Sequence, residues 1–137
     1  MDMLDAFIAE RRDRAFEYFV HDCAGLAADW VLRSTGADVL APLRAPGHAL
    51  AGRRLLPALR WVRDAGGFAA AGDRLLGPPR PGLMAQRGDV VLVRSGGRVR
   101  RVSGYSFGVC TGAHVVAPGH RALVFLPITE AVAAWRI

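Results

Sequence analysis

Apolar residues recur at helical spacing at the start of the chain. Leu4, Phe7, Ile8, Ala15, Phe16 and Phe19 mark one face, while Glu10, Arg11, Arg12, Asp13 and Arg14 fill the other. This pattern predicts a helix over residues 3–19, ending near Val20. After His21 and Asp22, the spacing of Leu26, Trp30 and Val31 predicts a second helix over residues 23–35. Asp22 is its N-cap and Gly36 its C-cap. Residues 40–47 contain Pro42 and Pro46 and read as a loop. Residues 48–65 then carry Leu55, Leu56, Leu59 and Val62 on one side. Pro57 argues against an unbroken helix there, so a start near Leu55 with proline in the first turn is the alternative. Gly66 and Gly67 end it, and a short helix or turn covers residues 68–76.

The period then changes. Gly77-Pro78-Pro79-Arg80-Pro81-Gly82 is a linker. Beyond it Val90-Val91-Leu92-Val93 is a buried strand, and Ser95-Gly96-Gly97 is a turn leading to a strand over residues 98–102. Further strands are expected over residues 105–110, 113–116 and 122–126, with turn signals at Thr111-Gly112 and Pro118-Gly119. Residues 129–135 suggest a terminal helix capped by Thr129. Helices followed by a meander of strands make an α+β fold, with N-terminal helices packed on a C-terminal sheet. The connections are too short for crossovers, so the sheet is antiparallel. One domain over residues 1–137 is expected, with a helical half (1–76), a linker (77–87) and a strand half (88–137).

Composition changes this picture little. Hydrophobic residues make up 52% and charged residues 22% of the 137, a globular balance with room for a core. No apolar run is long enough for a membrane span. The acidic start, Met1 to Asp5, does not read as a signal peptide. All 18 basic residues are arginine, and the net charge is +6. Anionic partners are favoured in general. The densest basic cluster, Arg94, Arg98, Arg100 and Arg101, lacks the interleaved aromatics of a single-strand-binding surface, so nucleic acid is not the expected partner. Cys23 and Cys110 do not make a disulfide framework or a zinc site, and no metal or cofactor is expected. Cys110 lies in an apolar strand, and inert packing is its expected role.

Cys23 is different. It falls in the first turn of the second helix, where unpaired amides and the helix dipole favour a thiolate. It is either a nucleophile or a small packing residue, and a supplied base decides which. His21 reads as solvated or capping, and His48 as surface. Asp29 reads as a surface or ion-pair residue. Trp30, Trp61 and Trp135 are expected as core or interface anchors, and Tyr105 as a cleft residue.

Asp22-Cys23-Ala24-Gly25-Leu26 resembles the Asp-Cys-Ser-Gly-Leu signature of NlpC-type, papain-like cysteine peptidases. Gly88-Asp89-Val90-Val91-Leu92 and Phe107-Gly108-Val109-Cys110-Thr111-Gly112 are similar to the two strands that follow it in that family, in the same order. The resemblance implies a papain-like arrangement and cleavage of amide bonds in bacterial wall peptides. In that arrangement Cys23 is the nucleophile, a histidine immediately before Phe107 is the base, and a polar residue on the next strand orients it. Here the base position is Ser106, which cannot accept a proton near neutral pH, and the orienting position is Pro118.

The chain also resembles short proteins encoded among the tail genes of phages, prophages and gene transfer agents. It shares with them Arg11-Arg12, His21-Asp22-Cys23, Gly88-Asp89-Val90-Val91, Leu123-Val124-Phe125-Leu126-Pro127 and Ala134-Trp135-Arg136. That resemblance implies a tail-tip structural or assembly component with a degenerate peptidase fold, bound to other tail-tip or hub proteins. It would assemble in the bacterial cytoplasm and reside in the particle tail. The alternative is an active hydrolase of peptidoglycan peptide using Cys23 with His120 or His114.

Overall fold

The computed structural model describes residues 1–94 and 104–137. The expected turn at Ser95-Gly96-Gly97, the strand over 98–102, and Arg98, Arg100 and Arg101 lie outside the described residues. Five helices lead into strands: α1 (Met3–Arg11), α2 (Cys23–Thr35), α3 (Ala41–Arg44), α4 (Leu55–Ala65) and α5 (Phe68–Leu76). The strands are β1 (Arg80–Pro81), β2 (Val90–Arg94), β3 (Tyr105–Cys110), β4 (His114–Pro118), β5 (Leu123–Pro127) and β6 (Ala131–Trp135). They form one antiparallel sheet in the order β1-β6-β2-β3-β4-β5. The α+β expectation therefore holds.

One face of the sheet packs against α1 and α2. Val90, Leu92, Val109 and Trp135 meet Phe7, Leu26 and Trp30 there. The opposite face buries Val91, Val93, Cys110, Val115 and Leu126. Burial on both faces explains why Val90 to Val93 is a continuous apolar run without alternation. Cys110 is fully buried, in the packing role expected of it.

Three elements depart from the sequence reading. The first helix stops at Arg11, not near Val20. Leu4, Phe7 and Ile8 already satisfy the core. The following residues form a turn closed by a Glu17–His21 bridge, with Phe19 at φ 65°. Residues 40–47 include a single helical turn, α3, where only a loop was expected. The terminal segment is strand, not helix. A 3₁₀ turn takes Ile128–Glu130, and β6 then runs between β1 and β2. The alanines of β6 prefer helix in isolation, but pairing on both edges and burial of Ala133, Ala134 and Trp135 override that preference. The start at Leu55, not His48, is the one α4 adopts. Close packing of β4 on β3 requires Gly108, since a side chain there would run into the Val116 carbonyl.

Candidate functional site

Two hydrogen-bonded anchors place Cys23. Asp22 has extended backbone, and its Oδ1 accepts the Gly25 N–H at 2.7 Å, which starts α2 at Cys23. Its Oδ2 accepts the Phe19 N–H at 2.9 Å and holds the preceding turn. Farther along α2, Trp30 Nε1 donates to the Gly88 carbonyl at 2.7 Å, tying the helix to the entrance of β2. The helix start therefore abuts the start of β3. There the Phe107 N–H and the Ser106 side chain face the Cys23 sulfur, together with the Ala24 N–H.

These surroundings do not make a thiolate. Burial pushes the Cys23 thiol above its ordinary pKa of 9.0; the Phe107 N–H pulls it back, the Asp22 charge raises it again, and Ser106 and Ala24 lower it slightly. At this helix start a local feature opposes the thiolate that the helix end favours. The same carboxylate that caps α2 takes up the Gly25 amide and sets a negative charge beside the sulfur. Ser106 is buried, and its hydroxyl also donates to the Phe107 carbonyl at 3.1 Å. It supplies a hydrogen bond and no proton acceptor of useful basicity.

The histidines fall elsewhere. His114 opens β4, and its carbonyl accepts the Thr111 N–H at 2.8 Å. That is the far end of β3 from Ser106, five residue steps or about 17 Å along an extended strand. His120 is exposed in the turn between β4 and β5. His48 is exposed, as expected. His21 departs from expectation: it is only 3% exposed, and its Nε2 has no hydrogen-bond partner among the described residues. Burial, Arg14 and Arg11 hold its pKa below 6.5. Pro118, at the expected orienting position, is buried and offers no polar side-chain atom.

Cys23 lines a cavity of about 520 Å³. Its walls come from the turn after α1 (Phe16, Tyr18, Phe19), from the segment carrying α3 and α4 (Leu43, Leu50, Leu59, Trp61) and from Phe68, Tyr105 and Phe107. No histidine is among the described residues that line it. Asp29 lines it as well and pairs with Arg11 at 3.8 Å, as an ion-pair residue should. Tyr105 takes the cleft position expected of it.

The helical period of Phe16 and Phe19 and the apolar face of α4 look like ordinary core signals in the sequence, which hides the cavity. The signal that could have exposed it is the segment bounded by Pro42, Pro46 and Gly47, which separates α4 from α2 in sequence; in the structure α4 packs chiefly on α5. Among the described residues, no group of histidine, cysteine and carboxylate side chains is arranged to hold a metal ion.

No curated protein and no solved structure matches the chain. A family match covers residues 1–137, and the chain belongs to that family, the domain of unknown function DUF6950.

Proposed function

We propose that this chain is a non-hydrolytic, NlpC-like module of a phage-type tail tip, in which the former catalytic cleft contributes shape and surface to assembly. The observation that carries this reading is the pairing at the Cys23 sulfur. The residue facing it at the position of the resembled family's base is Ser106, and burial keeps the sulfur protonated. Support also comes from the cavity, whose described lining contains no imidazole. A nucleophilic thiol needs a base or an electropositive setting, and Cys23 has Asp22 instead. Partners under this reading are other tail-tip or hub proteins, met in the bacterial cytoplasm during assembly and kept in the particle.

The test combines chemistry with assembly. Purified protein incubated with peptidoglycan releases no new amino groups, and Cys23→Ala leaves particle yield unchanged. Release of amino groups by the wild type that disappears in Cys23→Ala would establish the alternative, an active wall-peptide hydrolase.

A further inference from the structure

We propose that the cavity beside Cys23 is a binding site for a single apolar chain bearing an anionic head. This goes beyond the assembly reading and stands without it, because it rests on the cavity alone. The volume, about 520 Å³, falls in the range of small-ligand sites, roughly 300–1,000 Å³. α4 turns Leu55, Ala58, Leu59, Trp61 and Val62 toward this space, has no fully buried residue, and packs against α5. An apolar wall facing open volume is the arrangement an apolar guest completes.

The polar inventory decides what kind of guest. Asp22 is spent on the Phe19 and Gly25 amides, and Asp29 pairs with Arg11. Cys23 is a weak hydrogen-bonding group. The Tyr18 and Tyr105 hydroxyls and the Trp61 indole also belong to lining residues, but a peptide would bring a carbonyl and an N–H per residue, more than these side chains can satisfy. A hydrocarbon chain brings none. Arg44 and Arg53 line the same cavity and are both exposed. Arg44 has only a 3.8 Å contact with Asp38, and Arg53 has no ion pair among the described residues. Two arginines among the lining residues suit a guest whose head is a carboxylate or a phosphate monoester. The head is shared chemistry between a free fatty acid and a phosphorylated lipid, and the probes below separate them.

The experiment titrates wild-type protein with dodecanoate, dodecyl phosphate and dodecyltrimethylammonium below their micellar concentrations, following tryptophan fluorescence. It also measures the iodoacetamide reaction of Cys23 with and without each probe. Dodecanoate is expected to bind at least tenfold more tightly than the cationic probe and to slow alkylation of Cys23. Decanoate, two methylenes shorter, binds about fifteenfold more weakly. The double variant Arg44→Glu, Arg53→Glu changes only exposed residues and loses the preference for the anion. A tenfold preference for dodecyl phosphate over dodecanoate assigns the head to a phosphorylated lipid. Equal binding of anionic and cationic probes, unchanged alkylation at saturation, or no binding overturns the proposal. The rate of Cys23 alkylation without any probe tests the assembly reading separately.

Discussion

At the scale of single residues, Asp22 has two opposing effects. It caps α2 and the preceding turn, and its charge raises the thiol pKa of Cys23. The two effects separate by substitution. Asp22→Asn drops the charge and keeps one oxygen for the Gly25 N–H, but its NH2 cannot accept the Phe19 N–H, so about 1 kcal/mol of stability is lost while Cys23 alkylates faster at pH 8. Asp22→Ala loses the cap and destabilises by about 1–2 kcal/mol in denaturant titration. His21 gives a second residue-scale expectation. Its folded pKa lies below its ordinary 6.5, so the unfolded chain binds the extra proton first as pH falls. Its stabilising effect is complete above about pH 6.5 and is lost as pH drops below that value. Replacement by glutamine, which does not titrate, should flatten the acid limb of the stability curve below about pH 6.5. An unchanged limb would locate the acid sensitivity elsewhere.

At the scale of elements, boundaries that depend on local chemistry were legible in the sequence. Asp22 and Gly36 bracket α2, and the structure shows the carboxylate cap at one end and left-handed φ 81° at the other. β3 spans the expected residues, because a Gly at 104 and the turn signal at Thr111-Gly112 bound an apolar run. The ends that failed depend on distant partners. Nothing near Phe16 announces that it lines a cavity instead of extending α1, and nothing near Ala133 announces that β1 and β2 flank it. Only the sheet decides those. Trp30 illustrates such a partner: its indole N–H bond to Gly88 joins residues far apart in sequence. Trp30→Phe should lose about 0.5–1.5 kcal/mol from that bond and leave the α2 start less firmly set against β3. Thermal unfolding reads the first effect, and the alkylation rate of Cys23 reads the second.

At the scale of the whole molecule, the fold brings the start of α2 against the start of β3, and no histidine is among the described residues lining the space beside them. The start of α2 and the start of β3 do meet, so Cys23 and Ser106 face one another. That juxtaposition was legible from the order of two short motifs. The cavity was not, since its walls come from segments whose apolar residues look like ordinary core. The histidines were candidates only because side-chain type is visible in a sequence and distance is not. His114 stands at the far end of β3 from Ser106, and His120 is exposed in the turn between β4 and β5. What remains is a thiol in a largely apolar chamber, beside a carboxylate and a hydroxyl. The most direct test is the pH dependence of iodoacetamide alkylation at Cys23, measured in folded protein with the buried Cys110 replaced by alanine. Burial and the Asp22 charge predict a half-maximal rate above pH 9.0, the ordinary thiol value. A plateau reached below pH 7 would reveal a preformed thiolate and contradict the account.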